Sequence, residues 1–413
     1  MFDLVKGRGR NVFASRDAVI YLFNTFRFVG LNPPPQCRFL YYFYSGIITL
    51  FVVLLSPIIF NVGWIRDRNV LSVMEILNCV QAALNVVGVP IKSITLAMSL
   101  GRLRSVEPLL SKLDARYTEP EDVAKIRSCA IIGNRIVFGY IISYMMYETL
   151  TVVSALLGGH APLTLWIPYV DWHRSMWEYW LQVTFDGAML FFLLFHQILN
   201  DSYPAVYIYI IRTHVQLLSN RVKRLGTANK SQDETYHELQ DCIVTHQEIL
   251  RLVRVVEPII SLTLFVQFFI AAAILGTTMI NIFIFADFAT RIASLTYLFC
   301  VLLQTSPTCY YATHLQSDCQ DLTMSIFHSN WLAQGKRFNT LLLYFLHRSQ
   351  ADIPLFALKL IPINLSTSVS VSWKPCFRMR YRGYIFFSCF QIAKFSFTLY
   401  TFIQKMGVGK NLK

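Results

Sequence analysis

The chain has 413 residues and a formal net charge of +13; apolar residues make up 54% of it and charged residues only 15%. Soluble domains carry about 25% charged residues, so this composition argues against an ordinary cytosolic enzyme and excludes a disordered chain. The Lys and Arg residues fall between long apolar runs, which indicates a multi-span membrane protein rather than a nucleic-acid-binding one.

Six apolar runs are long enough to cross a bilayer, which takes about 20 residues of helix. In chain order they cover residues 39–60, 70–100, 130–157, 180–211, 258–285 and 287–313. A seventh run begins near residue 358 and is interrupted. We therefore predict an all-α membrane protein with seven transmembrane helices in one domain, 1–413.

The interruption of the seventh run covers residues 372–392, which contain Pro375 and four basic side chains, Lys374, Arg378, Arg380 and Arg382. Each such charge costs about 2.5–3.5 kcal/mol at the centre of a span on insertion scales. Joining residue 371 to residue 393 restores one apolar helix. We hypothesise that 372–392 is a non-native insertion, such as a retained intron; a genuine cytosolic or interfacial insertion is the alternative.

Basic residues orient the spans, because cytosolic loops carry an excess of Lys and Arg. Here they concentrate in segments 1–38, 101–129, 212–257 and 314–360. The sequence therefore predicts a cytosolic N-terminus (1–38), spans one to six within 39–313, and an extracellular C-terminus. Residues 314–371 are predicted to form cytosolic helices and the start of span seven, and 393–413 the end of span seven and the tail.

Residues 212–257 have the periodicity of helix that extends below the membrane, with a break between Gly226 and Gln232. The basic residues near Arg8 and Arg221 are expected to contact the inner leaflet. On the opposite side, the loop 158–179 is rich in Trp and Tyr. This loop is predicted to anchor at the interface, to cover a ligand vestibule, or to do both.

Ionisable residues within the apolar runs are costly, and they usually face a cavity or a partner. Glu148 and Asp186 lie in the outer halves of their spans, and one of them is expected near a ligand pocket. Lys92 and Arg135 lie near cytosolic ends, where long basic side chains are expected to reach the headgroup region.

A set of residues dispersed along the chain carries a resemblance to a known family. It consists of Trp166, Pro168, Asp171 and Trp172, then Asp201, then Leu239, Asp241, Cys242 and His246, and then segments 309–311, 329–331, 348–350, 363–367 and 394–398. In this order and topology the chain resembles an insect odorant receptor. Insect gustatory receptors are the nearest alternative. Their usual motif, Thr-Tyr followed five residues later by Gln-Phe, is absent here, where Phe397-Thr398 and Gln404-Lys405 occupy the corresponding positions.

The resemblance implies a subunit that binds a small volatile odorant and, with a common co-receptor subunit, forms a heterotetrameric, odorant-gated, non-selective cation channel. The expected location is the plasma membrane of the olfactory neuron dendrite. A gustatory-type receptor or a G-protein-coupled chemoreceptor is the alternative function; the latter has an external N-terminus, opposite to the prediction here. Beyond the co-receptor, the odorant and the bilayer, no nucleic-acid partner, cofactor, metal or enzymatic activity is expected.

The odorant pocket is expected in the outer half of the bundle, among spans two to six, lined by aromatic and Met side chains with few polar groups. The candidate ligand-binding residues are Met74, Asn78, Tyr144, Met145, Tyr147, Glu148, Phe185, Met189, Phe192 and Tyr297. The resemblance implies that the cytosolic helices of 314–371 are a subunit anchor and that 393–413 lines a pore, at Thr398, Thr401, Gln404 and Lys405. Lys405 departs from the apolar residues usual at this gate, so the chain is expected to conduct poorly alone.

Overall fold

The computed structural model of the protein describes residues 13–34, 38–69, 73–159, 161–162, 165–171, 174–226, 231–280, 282, 288–350, 356–357 and 361–362. These residues are almost entirely helical, which confirms the predicted all-α class. Five helices in this described part are long and apolar enough to cross a membrane. They correspond to the first five predicted spans, and a sixth long helix covers the sixth.

The described chain begins with a 3-10 helix, Ser15–Val19, that leads into α1 (Ile20–Phe28). The first span follows as α2 (Arg38–Ile48), a π-helical stretch (Thr49–Leu55) and α3 (Ser56–Asp67). Phe39, Leu40 and Phe43 of α2 are exposed. Large apolar side chains on the outer face of a spanning helix suit contact with lipid.

The next helices are α4 (Val73–Arg104), the short α5 (Val106–Asp114) and α6 (Pro120–Leu157). Helix α6 begins ten residues before the predicted third span. Its first turn carries Pro120 followed by Glu121 and Asp122, which is favourable chemistry for a helix N-terminus. The predicted span did not include this first turn, because the span was drawn from the apolar residues of the sequence and the turn is polar.

Two very long helices form the centre of the bundle, α7 (Met176–Lys223) and α8 (Gln232–Ile280). Helix α7 ends and helix α8 begins within the predicted helical extension 212–257. Helix on each side of the predicted break is therefore confirmed. From Leu193 to Val222, α7 is buried on nearly all sides. A helix enclosed in this way must satisfy its polar side chains within the bundle.

The described chain ends with α9 (Phe288–Phe327), α10 (Lys336–Ser349) and two short antiparallel strands, β1 (Phe356–Ala357) and β2 (Ile361–Pro362). The predicted helix of span seven therefore does not begin at residue 358: Ile361 and Pro362 are extended and paired. Pro362 has no N–H to donate within a helix, which favours this extended start. The predicted pore residues and the suspected insertion 372–392 lie outside the described residues.

The largest apolar core lies at the predicted cytosolic end, where α7 packs extensively on α6 and α9, and α4 packs on α8. Ion pairs reinforce this end: Arg212 Nε lies 2.5 Å from Asp318 Oδ2, and Arg221 Nη1 lies 2.6 Å from Asp241 Oδ2. Arg221, expected at the inner leaflet, pairs with Asp241 of α8. Its contact with lipid stays a prediction, and Arg8 lies outside the described residues.

Candidate functional site

The candidate residues on α7 lie in one apolar cluster, which we call the Met189 cluster. Met189 is buried, and Phe185 and Phe192 pack against it, as their helical spacing predicts. The other buried members are Ile48, Val52, Phe60, Ala83, Val89, Leu165 and Leu193. The cluster therefore joins α7 to α4, to the first span and to the outer loop. The pocket was predicted among spans two to six, so the contribution of the first span was not expected.

Other candidate residues lie elsewhere in the bundle. Tyr144 and Met145 on α6 pack against a separate cluster of Tyr140, Leu194 and Ile198. Tyr147 is exposed and Glu148 is half-buried. The structure therefore brings the α7 candidates together and places Tyr144 and Met145 in a second group, to which Tyr147 and Glu148 do not belong. The side chains of Met74, Asn78 and Tyr297 lie outside the described residues.

The outer loop closes over the Met189 cluster through Leu165, which is buried in it. The Gln182 amide donates hydrogen bonds to the carbonyl of Leu165 at 2.9 Å and to Asp186 Oδ1 at 2.8 Å. Asp186 is buried, and Gln182 links it to Leu165 of the cluster. That one of Glu148 and Asp186 lies near a ligand stays a prediction. Trp166 and Tyr169 in the loop, and Trp177 and Trp180 at the start of α7, are exposed, as interfacial anchoring requires.

Deeper in the bundle lies a buried ion pair between α4 and α7. Lys92 Nζ is 3.2 Å from Asp201 Oδ1, and both side chains are at most 2% exposed. Lys92 also donates to Gln267 Oε1 on α8 at 2.6 Å. The expectation that Lys92 reaches the headgroup region is therefore wrong, because a carboxylate and an amide on two other helices satisfy it inside the bundle.

Asp201 extends this network to two more helices. Its Oδ2 accepts a hydrogen bond from the Tyr144 hydroxyl of α6 at 2.6 Å and another from Gln304 Nε2 of α9 at 2.5 Å. Four helices, α4, α6, α7 and α9, thus meet at this carboxylate, and Lys92 links it to the fifth, α8, through Gln267. A charge at this depth is stable only with such partners, and the pair ties the candidate pocket residue Tyr144 to the rest of the bundle.

A second polar group lies beside the ion pair, between α4 and α7. Ser93 Oγ is 3.2 Å from His196 Nδ1 and accepts from Asn200 Nδ2 at 3.1 Å. Among the described residues, His196 Nε2 and Asn200 Oδ1 are buried without a partner. Asp201 lies twelve residues beyond Met189, about 18 Å along α7 at 1.5 Å per residue. Along α7, the apolar cluster is thus followed by a polar layer in which two buried atoms, His196 Nε2 and Asn200 Oδ1, could still form hydrogen bonds.

Sequence reasoning missed Gln267, Gln304, Ser93 and His196 as partners of this polar layer. One signal could have found the ion pair: Lys92 and Asp201 are opposite charges inside apolar runs, and such residues pair with one another. The sequence could not indicate which charges meet, because Arg135, Glu148 and Asp186 also lie inside these runs.

The family described as "7tm Odorant receptor" matches residues 72–372 of the chain. Odorant receptor 42a of Drosophila melanogaster is 32% identical over 400 residues, 96% of this chain and 93% of that protein. Odorant receptor 42b of the same fly is 32% identical over 403 residues, 97% of this chain and 96% of that protein.

Among solved structures, the insect olfactory receptor OR5 from Machilis hrabei has a similar fold, with a TM-score of 0.68 at 14% identity, covering 86% of this chain and 94% of that one. The same receptor in complex with eugenol also has a TM-score of 0.68 at 14% identity, over 96% of this chain and 100% of that one.

Proposed function

This chain belongs to the 7tm odorant receptor family, and on that premise we propose that it binds a small volatile ligand and, with a common co-receptor subunit, opens a non-selective cation channel. Membership of a family of sensory receptors gives no indication of an enzymatic function. The gustatory-type and G-protein-coupled alternatives are not favoured, since the relatives named above are odorant receptors.

The observation that carries the ligand-binding proposal is the Met189 cluster, covered by Leu165 and lying above a polar layer. Volatile odorants are small and mostly apolar, and such ligands suit aromatic and Met-lined sites with a few polar groups. Phe185, Met189 and Phe192 are proposed as the apolar contacts. The other proposed contacts are Met74, Asn78, Tyr144, Met145, Tyr147, Glu148 and Tyr297.

The test is co-expression with the co-receptor in a cell without other odorant receptors, exposed to an odorant panel and read as membrane current. We expect at least one small apolar odorant to evoke a cation current. Epitope tags at each end, probed in intact cells, test the proposed orientation. An externally accessible N-terminus would contradict the channel assignment.

Met189→Ala should raise the half-maximal concentration of the activating odorant by about tenfold to a hundredfold, because a buried Met side chain contributes about 1.5–3 kcal/mol of apolar contact. The matched control is Met146→Ala on α6, since Met146 is 62% exposed. Equal dose–response curves for Met189→Ala and the unmodified receptor, at equal surface expression, would remove Met189 from the proposed pocket.

The receptor expressed without the co-receptor should carry little or no current, because a ring of Lys405 side chains at the proposed constriction would repel cations. Co-receptor subunits would dilute this charge. Lys405→Ala should raise any current of the receptor alone, measured at equal surface expression. Large currents from the unmodified chain alone would contradict the proposed role of Lys405.

A further inference from the structure

Two groups of basic residues at the predicted cytosolic end differ in their partners. Each residue of the first group reaches a carboxylate on another helix. The pairs are Arg116 and Arg221 with Asp241, Lys112 with Glu248, Arg212 with Asp318, and Arg224 with Asp122. These pairs fold the bundle and leave little free charge for a ligand.

Arg27, Arg38 and Arg104 form the second group, which we call the arginine cluster. All three are exposed, and none has a carboxylate partner among the residues that the structure describes. They come from three elements that meet at one place: the end of α1, the start of α2 and the end of α4. Three cations brought together without an acid indicate a site for an anion from outside the described chain.

Hydrogen bonds hold the arginine cluster together. The Tyr41 hydroxyl donates to the carbonyl of Arg27 at 2.9 Å and accepts from the backbone N–H of Asn32 at 3.1 Å. The Arg104 side chain donates to Asn32 Oδ1. Arg38 lies one turn before Tyr41 on α2, and residues three apart share a helix face. Tyr41 and Asn32 therefore bring together, at the end of α1, the three segments that carry Arg27, Arg38 and Arg104.

The backbone acceptors at this point are already engaged. The Tyr44 hydroxyl donates to the carbonyl of Phe28 at 2.6 Å, and Ser45 Oγ donates to that of Gly30 at 2.7 Å. With the Tyr41 bond, these contacts cap the end of α1 from the first span. The guanidinium donors of Arg27 and Arg38, and those of Arg104 that Asn32 does not use, are thus left to bind an external acceptor, and guanidinium groups bind phosphate oxygens in bidentate geometry.

An apolar surface continues from the arginine cluster into the first span. Phe39 is 87% exposed, Leu40 69% and Phe43 65%. A phospholipid has this order of chemistry, with an anionic headgroup at the membrane surface and acyl chains beside it. A soluble anion has no acyl chain that could pack against these apolar side chains. This continuity favours a lipid as the occupant.

We propose that Arg27, Arg38 and Arg104 bind the headgroup of an anionic phospholipid of the inner leaflet, with its acyl chains against Phe39 and Phe43. The proposal rests on the cytosolic orientation proposed above. Juxtamembrane basic side chains attract anionic lipids, and each contributes about fivefold to the affinity.

The test is native mass spectrometry of the purified full-length receptor in detergent, titrated with phosphatidylserine and, separately, with phosphatidylcholine. We expect the triple variant Arg27→Gln/Arg38→Gln/Arg104→Gln to bind phosphatidylserine about a hundredfold more weakly, and Arg104→Gln alone about fivefold more weakly, with phosphatidylcholine binding unchanged. The triple Arg→Lys variant keeps the charge and should retain most of the affinity, which separates lost binding from lost folding.

The matched control removes three exposed basic residues elsewhere, Lys223→Gln/Arg251→Gln/Arg254→Gln, and should leave phosphatidylserine binding unchanged. Equal losses in both triple variants would show general charge attraction and overturn the site. So would unchanged binding in the arginine-cluster variant, displacement of the lipid by millimolar inorganic phosphate, or loss of the lipid when the co-receptor assembles. The readout requires no odorant current, so failure here is distinct from failure of the receptor function.

Discussion

Lys92→Met should lower the free energy of unfolding of the receptor by about 3–5 kcal/mol, because it leaves Asp201 as a buried charge without its cation. Asp201 would keep its bonds from Tyr144 and Gln304, which cannot neutralise it. The measurement is thermal unfolding of the full-length receptor in detergent, followed by tryptophan fluorescence. This pair joins five helices, so its loss should also reduce surface expression.

The double variant Lys92→Met/Asp201→Asn gives the sharper result. It removes both charges and keeps an acceptor for Tyr144, so it should be more stable than Lys92→Met alone. Lys223→Met is the matched control, since Lys223 is exposed at the end of α7 and its loss should be nearly neutral. A stability of Lys92→Met equal to that of the unmodified receptor would contradict the buried ion pair.

Gly133→Val should displace the N-terminal segment, defined as residues 13–31, from the bundle. A Cβ at Gly133 would lie 2.6 Å from Ala18 Cβ and 2.8 Å from the Ala18 carbonyl oxygen, closer than atoms can approach. Ala18 has no long side chain that could move aside. We expect a loss of about 1–3 kcal/mol, typical of overpacking, together with faster proteolysis of the N-terminal segment in permeabilised cells.

The N-terminal segment has specific contacts to lose. The backbone N–H of Tyr21 donates to Asn134 Oδ1 at 3.0 Å, Asn134 Nδ2 donates to the Asp17 carbonyl at 2.7 Å, and Ser15 donates to Asp114 Oδ2 through its N–H at 2.8 Å. Gly139→Val on the same helix is the matched control, because nothing lies within 4 Å of its added Cβ. Equal protease sensitivity of the two variants would show that the helix, and not the contact with Ala18, was affected.

The sequence by itself determined the helical, membrane-spanning class, the approximate span positions, the helix extensions on either side of Gly226 and the common face of Phe185, Met189 and Phe192. These features depend on apolar length and helical period, which are local properties of the chain. Polar helix ends were missed, as at Pro120, because they carry no apolar signal.

The tertiary structure alone decided which residues meet between helices. It paired Lys92 with Asp201 and Arg221 with Asp241, separated Tyr144 from the Met189 cluster, and brought Leu165 of the loop into that cluster. Helical period fixes the face on which a side chain lies, but the rotation and crossing of each helix fix what that face contacts. Those rotations are set by packing over the whole bundle, which is why no local pattern in the sequence revealed these contacts.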